Sequence, residues 1–159
     1  GSDRYIYKNH DPDFIFGLAS SMNYKNLDFS FNLRASIGNR VYNAVNASKA
    51  QYNLLQNNTV LGNIPASVQN TGFNNTSDVV LSDIYVENGS FLRMDNITLG
   101  YTIPKWMEGK ATLRLFTGVQ NAFLITKYSG LDPEVTNNGI DNTIYPRQRS
   151  LLFGANVKF

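Results

Sequence analysis

The chain has 159 residues, enough for one ordinary domain with a core, and only 16% of them are charged, well under the usual quarter. A formal net charge of +2 with no Lys/Arg cluster leaves no electrostatic footprint for nucleic acid, and the absence of cysteine excludes a disulfide framework or a thiolate metal site. No apolar run of about eighteen residues exists, which excludes a transmembrane helix but not a membrane barrel, whose alternating strands give a weak hydropathy signal.

Gly1-Ser2 reads as a cloning remnant, and no signal peptide follows it, so an exported protein would have lost its start. Asp3 to Asp13 is polar and holds the single histidine, His10, which in such a turn-like setting is expected to be a solvated side chain. Phe14 to Asn23 then alternates. Phe14, Phe16, Leu18 and Met22 share one face, with Ser20 the exception, and Ile15, Gly17, Ala19, Ser21 and Asn23 share the other. After the turn signal Tyr24-Lys25-Asn26, Leu27 to Ile37 is the strictest strand of all. Leu27, Phe29, Phe31, Leu33, Ala35 and Ile37 are apolar, while Asp28, Ser30, Asn32, Arg34 and Ser36 are polar. A slip of one residue would put Asp28 and Arg34 on the apolar side, and on a lipid face Arg alone costs roughly 2–4 kcal/mol.

Gly38 to Ser90 loses the alternation and carries eleven asparagines. Within it, Val45, Tyr52 and Leu55 predict a short helix over 44–56. Connections this long are more often functional than idle. Phe91 to Ile103 returns to strand character, with Ile97, Leu99, Tyr101 and Ile103 against Asn96, Thr98, Gly100 and Thr102. Upstream, Arg93 and Asp95 fall on the apolar side, so the strand is expected to project beyond the apolar zone there. Pro104 to Lys110 predicts a compact turn. Ala111 to Gln120 sets Leu113, Leu115 and Val119 against Thr112, Arg114, Gly118 and Gln120, and 121–148 reads as a second long loop. The terminal strand places Leu151, Phe153, Ala155, Val157 and Phe159 opposite Leu152, Gly154, Asn156 and Lys158.

Five strands joined by short turn, long loop, short turn and long loop put all short turns at one end of an antiparallel sheet. Outer-membrane barrels have this asymmetry, and Tyr24, Tyr101, Trp106 and Phe159 then fall at the short-turn end as an aromatic girdle would. Five strands cannot close a barrel, so the pattern predicts either part of a larger barrel or a soluble sheet whose apolar face meets another element.

The stretch Phe91-Leu-Arg-Met-Asp-Asn-Ile-Thr-Leu-Gly-Tyr-Thr-Ile-Pro104 resembles the segment GSFLRLKNITLGYTLP of SusC/RagA-type TonB-dependent transporters. Tyr128-Ser-Gly-Leu-Asp-Pro-Glu134, Gly139-Ile-Asp141, Tyr145-Pro-Arg147 and the strand from Ser150 to Phe159 are similar to that family's C-terminal signature in order and spacing, and Pro12-Asp-Phe14, Phe16-Gly17 and Gly38 to Ala44 also fit. The resemblance implies an all-β fold: the last five antiparallel, up-and-down strands of an outer-membrane barrel of about 22 strands, with residues 3–159 its C-terminal segment and the plug domain elsewhere. It further implies import of glycan fragments or other large nutrients, oligosaccharide or peptide, beneath a SusD-like surface lipoprotein and powered through TonB. The family loop motif falls on Gly130, Leu131, Asp132, Pro133, Glu134, Tyr145, Pro146 and Arg147. The terminal stripe of Leu151, Phe153, Ala155, Val157 and Phe159 is the expected signal for the barrel-assembly machinery.

Catalysis finds no support, since one histidine without cysteine or Gly-x-Ser-x-Gly leaves no ready nucleophile–base pair. Asp132, Glu134 and Asp141 lack calcium-loop spacing and read as turn chemistry and loop packing, so neither metal nor cofactor is expected. Asn32, Arg34, Arg114, Gln120, Asn156 and Lys158 are expected to line a lumen. Tyr42, Tyr52, Phe73, Tyr85 and Tyr128 are candidate sugar-stacking aromatics, against the plainer reading that they pack the loops on themselves. The competing readings of the chain are a soluble carbohydrate-binding β-sandwich at the cell surface and a structural or adhesive surface module. Detached from its barrel, the chain is expected to self-associate through apolar faces or edge strands.

Overall fold

The computed structural model describes residues 5–57, 60–75, 82–135, 138–142 and 145–159. The chain forms two compact units, a sheet unit (14–37, 91–126 and 147–159) and a loop unit (1–13, 38–90 and 127–146).

The sheet unit is antiparallel throughout. Its strands are β1 (Phe14–Tyr24), β2 (Leu27–Ile37), β7 (Phe91–Trp106), β8 (Ala111–Thr126) and β10 (Ser150–Lys158), side by side in chain order. The register confirms the alternation: Leu18 lies opposite Leu33, Phe31 opposite Ile97, Ile97 opposite Val119 and Leu151 opposite Val119, with Thr117 an exception on this face. One face is therefore apolar from strand to strand, and it is exposed, Phe16 at 56% and Phe153 at 75%. A β-sandwich would bury that face against a second sheet of similar size. The described strands of the loop unit, two to four residues long, do not form one.

The strand containing Arg93 and Asp95 differs from the sequence expectation. Asn32 pairs with Asn96 but Leu33 pairs with Met94, so Asp95 is an extra residue in the ladder. Across the next pair Met94 meets Phe123 and Asn96 meets Gln120, with Asn121 at φ +50°. This β-bulge changes the phase by one residue. Arg93 thereby stands opposite Arg34, on the polar face, instead of projecting from the apolar one. The bulge also lets β8 continue past Gln120 to Thr126, where the alternation read straight through had placed a loop. At the other end β7 runs beyond Ile103 to Trp106 through an irregularity at Pro104 and Lys105, the latter at φ +56°. Pro104 is tolerated there because the β2 ladder ends at Leu27 opposite Tyr101, leaving no partner on that side for the missing N–H.

The loop unit has its own small core. The strands β3 (Arg40–Asn43), β6 (Val86–Asn88) and β9 (Ile140–Asp141) form a three-stranded sheet in the order β6-β3-β9, the β3–β9 pair parallel. A two-stranded ladder, β4 (Gln56–Asn57) with β5 (Val60–Leu61), and the short helix α2 (Val68–Thr71) complete it. The predicted helix over 44–56 is only α1 (Ala44–Lys49) followed by a 3-10 turn at Tyr52–Leu54. The Asn43 side chain caps α1 by accepting from the Asn46 N–H at 2.9 Å, and the Gln51 amide donates to the carbonyls of Ala47 at 3.2 Å and Ser48 at 3.4 Å, closing the helix a turn early. Ala47 and Tyr85 form the buried centre, with Tyr42 and Phe73 packed on it.

Candidate functional site

On the polar face of the sheet, β2 and β7 bring Arg34 and Asp95 together as a bidentate pair, Nε to Oδ2 at 2.5 Å and Nη2 to Oδ1 at 2.9 Å. The bulge makes this possible by adding Asp95 to the ladder between Met94 and Asn96. A second bidentate pair joins Arg114 of β8 to Asp28 of β2, at 2.9 and 2.5 Å, across the intervening β7. It crosses at Gly100. A Cβ there would lie 2.4 Å from the Asp28 carboxylate and 2.6 Å from the Arg114 guanidinium. Arg93, 1% exposed, donates to the Asn121 side-chain oxygen Oδ1 at 2.9 Å, and the Asn121 side-chain amide donates to the Arg147 backbone carbonyl at 2.6 Å. A polar cleft of about 340 Å³ opens beside this group, lined by Arg93, Asp95, Asn96, Gln120, Asn121, Arg147 and Gln148.

The register places the six predicted lumen residues on this one face. Asn32, Asn96 and Gln120 form a row, Asn156 stands opposite Arg114, and Lys158 opposite Thr112. Tyr24, Tyr101, Trp106 and Phe159 lie toward the short-turn end of the sheet, all four exposed.

In the loop unit, Glu87 accepts from the Asn43 amide at 2.9 Å, from the Ser129 hydroxyl at 2.7 Å and from the Ser129 N–H at 2.8 Å. One carboxylate so ties three distant segments of the chain. The Tyr128 hydroxyl donates to Asp141 at 2.6 Å, both residues buried. Burial, with this bond to a carboxylate second, pushes the Tyr128 phenol far above its ordinary range. A cleft of about 410 Å³ lies against Asn43, Asn46, Pro65, Ser67, Leu131 and Asp141, with no cationic side chain among the described residues on its walls.

No protein-family model matches the chain. It is 42% identical to the TonB-dependent receptor SusC of Bacteroides thetaiotaomicron in an alignment of 163 positions that covers 99% of this chain. The chain belongs to the SusC/RagA-type TonB-dependent receptors. A further relative, TonB-dependent receptor P3 of Formosa agariphila, is 31% identical over 99% of the chain. In fold, this receptor segment is similar to the RagAB peptide importer in its open-open state, with TM-score 0.69, 20% identity, and coverage of 97% of this chain and 18% of that one. The closed-closed state matches at TM-score 0.67 over 94% of the chain. The segment spans 16% of the SusC relative and 17% of P3.

The loop motif of this receptor segment divides by burial. Asp132 and Pro133 are buried, with Asp132 accepting the Glu134 N–H at 2.9 Å, whereas Leu131 and Tyr145 are exposed, Tyr145 at 90%. Gly130 is needed where it stands, since a Cβ would lie 2.4 Å from the Tyr128 ring. Pro146 and Arg147 are exposed. Of the five candidate stacking aromatics, Tyr85 and Tyr128 are buried, and Tyr42 and Phe73 pack against the Ala47–Tyr85 core. Tyr52 alone of the five is exposed. His10 is exposed at the surface beside Asn9 and Asp11. Among the described residues no group of three or more potential metal ligands occurs, and no helix is long and apolar enough to cross a membrane, which says nothing of a barrel. Sequence reading did not single out Asp95, Gly100, Phe116 or Glu87. Each matters through a partner on another strand or segment; the local signals are Gly100, a lone glycine within its strand, and Asp95, out of phase with the alternation.

Proposed function

We propose that residues 3–159 are the C-terminal segment of the β-barrel of an outer-membrane transporter that imports glycan fragments, with a SusD-like lipoprotein at the surface and energy supplied through TonB. The observation that carries this reading is the two-sided sheet, with an exposed apolar face ending in an aromatic girdle and an ion-paired polar face. Exposed apolar side chains in this number suit hydrocarbon, and the charges suit an aqueous lumen. Sequence similarity to SusC supports the transporter class; similarity to RagAB, a peptide importer, keeps peptides as the second substrate class. Asn32, Arg34, Arg114, Gln120, Asn156 and Lys158 line the lumen in this reading, and the terminal stripe from Leu151 to Phe159 is read by the barrel-assembly machinery. The segment is a conduit wall and not an enzyme.

The test is deletion of the whole receptor in its parent bacterium, followed by uptake of labelled oligosaccharides and labelled peptides. Loss of oligosaccharide uptake, restored by the intact gene and not by one lacking its TonB-contacting region, is the expected result. Loss of peptide uptake alone would move the substrate to the second class. No loss of either would overturn the transporter reading.

A further inference from the structure

Alternation tells a strand which face to present, but it does not specify register. A shift of two residues keeps every apolar side chain on the apolar face. Something else must choose among the even-numbered registers, and one row of the polar face is built to do so. The row runs Asn23, Asp28, Gly100, Phe116, Gly154 through β1, β2, β7, β8 and β10. Gly100 leaves the opening through which Asp28 grips Arg114. The Arg114 guanidinium lies 5.0 Å from the centre of the Phe116 ring. That ring in turn covers Gly154, where a Cβ would sit 2.3 Å from its Cζ. Gly100 and Gly154 are the single glycines of their strands, so a two-residue slip sets Phe116 or the ion pair against a side chain instead of a gap.

We propose that this interlocked row is the register key of the sheet, selecting the native pairing of β7, β8 and β10 as the strands come together. It rests on the barrel reading above only through the assay. In the full-length receptor, Gly154→Ala is expected to lower the heat-modifiable outer-membrane form several-fold. Alanine is no worse than glycine in a strand, so the loss has to come from the ring beneath it. Cysteines at Thr112 and Lys158 report the native register, and cysteines at Thr112 and Asn156 report a two-residue slip. The wild-type background should cross-link only the first pair, whereas the Gly154→Ala protein that still assembles should gain the second. Phe116→Ala combined with Gly154→Ala should recover assembly by removing the obstruction. Wild-type assembly of Gly154→Ala with native cross-linking alone would overturn the proposal, as would a loss that Phe116→Ala does not relieve. A wild-type receptor absent from the outer membrane would instead refute the barrel reading.

Discussion

Replacing Tyr128 by Phe removes one hydroxyl and leaves the ring in place. That hydroxyl donates to Asp141 at 2.6 Å, and the two residues are 6% and 3% exposed, so water cannot take its place until the loop unit opens. A hydrogen bond to a charged acceptor contributes about 1.5–3 kcal/mol, which corresponds to a roughly ten- to hundredfold change in the local opening equilibrium. Measured by hydrogen exchange on the full-length receptor, the amides of 40–43, 86–88 and 139–142 should exchange faster by about that factor in Tyr128→Phe, while those of 14–37 stay unchanged. The substitution also predicts a pH effect. Burial raises the folded-state pKa of Tyr128 above the ordinary 10.0, so between about pH 10 and the raised value the open state has lost a proton that the closed state keeps. The stabilisation is complete below about pH 10 and declines as pH rises beyond it. Tyr85 is raised by burial as well, so the variant should flatten the alkaline decline without erasing it. Exchange within about twofold of wild type at neutral pH, or an unaltered alkaline slope, would refute the account of the Tyr128–Asp141 bond.

Asp28→Asn should cost about 0.5–1.5 kcal/mol, because the bidentate pair with Arg114 is only partly shielded from water; a double-mutant cycle with Arg114→Gln, read from the thermal midpoint of the heat-modifiable form, gives the coupling. Leu18→Lys, on the apolar face opposite Leu33, should cost roughly 2–4 kcal/mol and deplete the assembled receptor, whereas Ala19→Lys on the polar face should leave its level near wild type in the same outer-membrane fractions. Phe159→Ala should reduce assembled barrel more than total protein, both followed by immunoblot; equal amounts would leave Phe159 as an interfacial anchor only. The detached 159-residue chain should self-associate, and a stable monomer by light scattering at high concentration would count against exposed apolar faces seeking cover.

The sheet was legible because its information is local. Leu27 to Ile37 states its two faces in eleven consecutive residues, and the register found for β1 and β2 follows directly from the turn at Lys25 and Asn26. The bulge at Asp95 was not legible, because a pattern of period two cannot announce an added residue except as an apparent error. The error was visible, in Arg93 and Asp95 on the wrong side, but extension beyond the apolar zone explained it as well as a bulge did. The loop unit was less legible still. Its core joins Ala47 to Tyr85, and its polar ties join Asn43 and Glu87 to Ser129, pairs with no shared periodicity.

What the sequence determined by itself was the face of each strand up to the bulge, the alternation of short and long connections, and the family, since all three are written in neighbouring residues. Only the tertiary structure decided which charges meet. Asp28 and Arg114 lie 86 positions apart and Arg34 and Asp95 lie 61 apart, and each pair forms only because a glycine or a bulge in β7 lets the side chains reach each other. The strands' chemistry is a property of consecutive residues, whereas the fit between them depends on spaces that exist only once the ladder has formed.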